Sequence, residues 1–134
     1  MNKIMIIYSE KGTIEKVEEL NIDFWKLDDI KHIIKSFIDV WNPKESDFIV
    51  LMDYLKISLP PPLSSSQLKT YSNLNVKIEE DVATIEVPIY VISYGEHEVK
   101  NNHLEEKIIV IAPYIDNKVK NEIMRLSEEL TKHA

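Results

Sequence analysis

Glu98, His103 and Glu105 bracket the pair Asn101-Asn102. Asparagine tolerates the left-handed angles of a tight turn, so this pair reads as the corner of a β-hairpin. In that register Val99 faces Leu104, Ile92 faces Ile111 and Tyr94 faces Ile109. Glu98 then opposes Glu105, with His103 diagonal to it on the same face. Like charges placed so destabilise a sheet. Two carboxylates and an imidazole meeting at one turn can hold a divalent cation, which removes the repulsion. In a catalytic version, one glutamate is a general base with a raised pKa. The plain alternative is a solvated tip, its charge offset by Lys100 and by Lys107 opposite Glu96. On the other face His97 opposes Glu106. That pair is an acid–base couple if it lines a cleft and a hydrogen-bonded edge pair if it does not.

A second place for chemistry is "YSEKGT", Tyr8–Thr13. Read as a strand–helix junction, it puts Ser9, Lys11, Gly12 and Thr13 at a helix N-terminus, where backbone N–H groups attract an anion or nucleotide phosphate. The third is "LPPPLSSS". Leu59, Pro60, Pro61, Pro62 and Leu63 form a stiff, extended strip of the kind that docks on a partner. Its other reading is a rigid connector over about residues 58–67. No Ser-His-Asp, HExxH, P-loop or EF-hand spacing occurs.

The elements that must carry these residues follow from periodicity. "KIMIIY" is a buried strand. Ile14, Val17 and Leu20 recur about one turn apart and predict a short helix capped by Thr13, and Ile22–Leu27 is a second strand. Ile30, Ile33, Ile34, Phe37, Ile38 and Trp41 make the strongest helical stripe, ended by Asn42-Pro43. "SDFIVLMDYLKISL" is a third strand. "LNVKIEEDVATIEV" alternates as a hairpin that pairs Ile78 with Ala83, Val76 with Ile85 and Leu74 with Val87. Asp116 or Asn117 caps a final helix with Val119, Ile123, Leu126 and Leu130 on one stripe. The expected fold is an α+β domain with a mixed sheet: β-α-β-α-β, then a three-stranded antiparallel meander, then a helix. A Rossmann-like three-layer arrangement is the alternative for the first half.

At 134 residues the chain suits a single domain over 1–134. No apolar run approaches the roughly 20 residues of a membrane span, and no secretory signal is evident. With no cysteine, disulfides and thiolate metal sites are excluded. The chain reads as cytoplasmic. Its net charge is −7, and Arg125 is the only arginine, which disfavours nucleic-acid binding. These features point to a small accessory or regulatory protein that binds another protein, as a homodimer, rather than to an enzyme. No cofactor is expected. Two alternatives stand beside that reading. One is a nucleotide- or anion-binding or metal-dependent enzyme using the Ser9–Thr13 loop or the 97–106 tip. The other is an acidic decoy of nucleic acid.

Overall fold

The computed structural model describes residues 3–27, 48–60, 64–80, 82–94, 99–100, 103–104 and 107–132. Two apolar runs, Ile4–Tyr8 and Ile108–Pro113, are buried at every residue. Such runs belong in the middle of a sheet covered on both faces, and this is where they lie. Strand β1 (Lys3–Glu10) pairs antiparallel with β8 (Lys107–Tyr114) on one side. On its other side it pairs with β2 (Thr13–Leu20). The remaining strands are β3 (Phe48–Leu59), β4 (Asn75–Glu79) and β5 (Val82–Tyr94), with a short hairpin of β6 (Val99–Lys100) and β7 (His103–Leu104). Among the described residues the main sheet has six strands in the order β2-β1-β8-β5-β3, with β4 also on β5, and every pairing is antiparallel.

Helix α1 (Ser65–Thr70) is short. Helix α2 (Asn117–Lys132) lies on one face of the sheet, where Val119 and Ile123 join Met5, Ile7, Ile85 and Val110 in the larger core. On the opposite face Ile4, Ile6, Ile92, Ile109 and Ile111 form a second core with Phe24 and Leu27. Each fully buried isoleucine contributes about 1.5–3 kcal/mol relative to exposure. No helix among the described residues is long and apolar enough to cross a membrane.

The β-α-β-α-β layout and its Rossmann-like alternative are therefore incorrect. Thr13–Leu20 is a strand, because Lys11 and Gly12, at φ 51° and 77°, make a two-residue hairpin turn. The helical spacing of Ile14 and Val17 has a specific cause. Tyr8 pairs with Lys16 and Ser9 with Ile14, so Glu15 is an extra residue, a β-bulge. The bulge lets residues three apart share a face, and both pack on the larger core. The strand expected over Ile22–Leu27 is a 3-10 turn, Phe24–Lys26, capped by Asp23. The helix expected over Ile30–Trp41 lies outside the described residues.

The meander is corrected too. β3 runs the length of β5 on one edge, so β4 and β8 sit end to end on the other. The β4–β5 register is the expected one, with Ile78 on Ala83 and Val76 on Ile85. At the next hairpin Val99 faces Leu104 as expected, but at its base Ile92 meets Ile109 and Tyr90 meets Ile111. The base is thus two residues out from the expected register, which preserves the faces.

Candidate functional site

Two prolines lie where a concavity opens in the sheet. β5 and β8 pair from Tyr94–Lys107 to Tyr90–Ile111 and then stop. The next hydrogen-bonded pair in that register would set Pro88 against Pro113, and neither residue has an N–H to donate. β5 takes up β4 instead at Glu86–Asn75, while β8 continues along β1 through Pro113 and Tyr114. In an antiparallel ladder, successive residues turn their N–H and C=O groups to alternate sides. Pro88 and Pro113 therefore direct their carbonyls into the split, where no ladder donor faces them. The same alternation turns the Tyr54 N–H, opposite Pro88, toward the free edge of β3. There the Asp53 Oδ1 accepts it at 2.7 Å.

A cleft of about 490 Å³ opens at this split. Pro88, Tyr90 and Glu86 of β5 form its floor, with Met52 and Tyr54 of β3 beside them. Phe24, Trp25 and Leu27 close one side, and Asn73, Leu74 and Asn75 another. A smaller annex of about 160 Å³ reaches past Phe24, Trp25 and Asn73 to Lys3, Pro113 and Tyr114. Buried Phe24 anchors the aromatic wall, with its ring centroid 5.4 Å from Trp25, edge-on, and 5.5 Å from Tyr90. The Trp25 N–H donates to Asp23 Oδ1 at 3.1 Å, which fixes the turn.

The 71–75 wall is held from below. Ser64 and Gln67 form a reciprocal capping box that starts α1. Tyr71 follows the helix, is buried, and donates its hydroxyl to Asp116 Oδ2. Asp116 also accepts the Val119 N–H at 2.9 Å, so one carboxylate caps α2 and ties down the turn beside the cleft. Burial, then the Asp116 hydrogen bond and charge, push the Tyr71 phenol up to about 12. On the floor, Glu86 accepts from Asn75 Nδ2 at 3.4 Å, and Lys77 Nζ stands 4.0 Å away. This lining of aromatic rings, aliphatic groups, amides and one carboxylate is suited to holding a ligand.

Of the candidate site residues singled out from sequence, none that is described lines this cleft. Ser9 is buried, and its hydroxyl meets the Ser127 carbonyl at 3.1 Å and that of Ile108 at 3.4 Å. The Gly12 N–H donates to Thr131 Oγ1 at 2.9 Å. Lys11 and Gly12 form the β1–β2 turn and Thr13 begins β2, so the helix N-terminus invoked for an anion is not at this loop. Leu59 is buried at the end of β3 and Pro60 is exposed, while Pro61, Pro62 and Leu63 lie outside the described residues. So do His97, Glu98, Glu105 and Glu106. His103 is placed by its backbone alone, paired with Lys100 in the β6–β7 hairpin. The sequence signal for the cleft was the pair of prolines inside otherwise regular strand patterns, each a stop for a ladder.

Neither a curated protein nor a solved structure matches this chain. Residues 3–132 match a protein family, and the chain therefore belongs to the family described as "Uncharacterized protein conserved in archaea (DUF2286)".

Proposed function

We propose that this is a small accessory or regulatory protein that acts by binding another protein, with the cleft at the sheet split as its recognition surface. One observation carries the reading. Trp25, Met52 and Tyr54 are 42%, 57% and 52% exposed and gather around a single concavity. A lone exposed apolar side chain is ordinary, but three large ones lining a cleft mark a surface that another molecule covers. Tryptophan, tyrosine and methionine are the types that concentrate at interface centres. Ile78 and Val82, exposed at the β4–β5 tip, give a second copy of the chain its own apolar contact, consistent with a homodimer.

The test is capture of interacting proteins from source-cell lysate by the wild-type chain and by a Trp25→Ser/Tyr54→Ser variant. The variant must first give the same circular dichroism spectrum and melting cooperativity as wild type. A protein retained by the wild type and released by the variant is the expected result. Identical captured sets would remove the cleft from the binding surface.

A further inference from the structure

We propose that the cleft receives an arginine side chain from a basic segment of the partner protein. The inference rests on the binding role argued above and specifies the partner's chemistry.

Glu86 is the only formally charged residue among the described residues lining the larger cleft. Its side chain is 18% exposed, and its two described polar contacts are long ones, to Asn75 at 3.4 Å and Lys77 at 4.0 Å. Lys77 is itself 65% exposed, and Lys56, opposite Glu86 on β3, is exposed as well, so both lysines leave most of their charge in water and neither holds Glu86 in a tight ion pair. The Glu86 charge is therefore only weakly compensated. Two residues along the same strand, Pro88 lies beyond the last β5–β8 pair, Tyr90–Ile111, so its carbonyl, turned to that side, has no ladder donor from β8. The floor thus offers a carboxylate and a carbonyl, both acceptors.

An anionic ligand would be repelled by Glu86. A wholly apolar one would bury both acceptors unpaired, which is costly. A cation satisfies them. Trp25, Tyr54 and Tyr90 supply the electron-rich faces that attract cations in aromatic sites. Leu27, Met52 and Pro88 supply the apolar surface for an aliphatic stem. Arginine fits these demands better than lysine. Its guanidinium is flat, less strongly hydrated, stacks on aromatic rings and carries five donors in a fixed fork. The overall charge of −7 draws such a segment in from a distance.

The experiment titrates the full chain with the blocked pentapeptide Ac-Ala-Val-Arg-Val-Ala-NH2. Binding is followed by heteronuclear NMR at the Trp25 indole and the Glu86 amide. Matching peptides carry citrulline, the neutral shape mimic of arginine, or norleucine at the centre. The arginine peptide is expected to shift both signals saturably and to weaken as salt rises from about 50 to about 500 mM. The citrulline peptide, and Glu86→Gln with the arginine peptide, should each bind about tenfold more weakly, the loss of one charge-assisted contact. Glu79→Gln, which removes an exposed carboxylate on β4 outside this cleft, should leave affinity unchanged. Equal or tighter binding of the citrulline or norleucine peptide would overturn the arginine assignment and leave an apolar partner site standing. No shift from any of the peptides would overturn both.

Discussion

Removing the Tyr71 hydroxyl should cost far more than the loss of one oxygen from the surface of a protein. The ring is 5% exposed, and its hydroxyl donates to a carboxylate that also caps α2 through the Val119 N–H. A hydrogen bond to a charged partner is worth about 1.5–3 kcal/mol, and Asp116, only half-buried, recovers part of it by hydration. Tyr71→Phe should therefore destabilise by about 1–2 kcal/mol. Asp116→Ala loses the helix cap, about 1 kcal/mol, and also leaves the Tyr71 hydroxyl buried without its acceptor, a further 1–3 kcal/mol or so. Its expected total is about 2–4 kcal/mol. The double variant carries the lost cap, about 1 kcal/mol, but no orphaned hydroxyl, so it should fall about 2–5 kcal/mol short of the summed single losses of about 3–6 kcal/mol. Urea unfolding followed by circular dichroism, with unchanged slopes, measures all four corners of this cycle. Losses that add to within about 0.3–0.5 kcal/mol would refute the claim that one carboxylate serves both the turn and the helix.

The same phenol makes a pH prediction. Its folded pKa, about 12, lies above the ordinary value of 10.0, so its stabilising contribution is complete below pH 10 and is lost as pH rises through about 12. Tyr8, raised further by burial and then by the charge and hydrogen bond of Glu18, adds to that alkaline loss, and Tyr71→Phe should flatten only part of it in urea melts. Gly12→Ala should destabilise by about 1 kcal/mol or more in thermal melts. The cause is its φ of 77° and not crowding, since the nearest atom to an added Cβ would be 3.5 Å away. Glu80→Asn, at φ 51°, should be neutral or stabilising by up to about 1 kcal/mol, because asparagine accepts left-handed angles more readily. Light scattering at tens of micromolar should show a dimer that weakens on Ile78→Lys/Val82→Lys, and a strict monomer would refute self-association.

Elements whose burial pattern was uniform were the legible ones. "KIMIIY" reads as a buried strand because both of its faces are covered, and Val76, Ile78, Ala83 and Ile85 set their own register by alternation. Asp116 announced the last helix. The errors came from interactions that local periodicity does not encode. The Glu15 bulge made a strand mimic a helical spacing. On α2 the buried stripe runs Val119, Ile123, Ser127, Thr131, and Leu130 is left exposed. The polar pair is inside because Thr131 receives the Gly12 N–H and the Ser127 carbonyl receives the Ser9 hydroxyl, partners more than a hundred residues away in the chain. The cleft was hidden for the same kind of reason. Trp25, Tyr54 and Glu86 come from three separate segments, and only the sheet order brings them together.

The break at Pro88 and Pro113 also decides how the molecule yields under load. A cleft cut across a continuous sheet widens only by unzipping ladder bonds, each worth roughly 0.5–1.5 kcal/mol. Here that stretch of ladder is already missing, and among the described strands only β5 links the β2-β1-β8 side to the β3 and β4 side by ladder hydrogen bonds. A change of twist in β5 moves Glu86 and Tyr54 relative to Pro113 while every existing pairing stays intact. Resistance to that motion then falls to the α2 core and the Tyr71–Asp116 hydrogen bond rather than to the ladder, at the line where an occupant would enter.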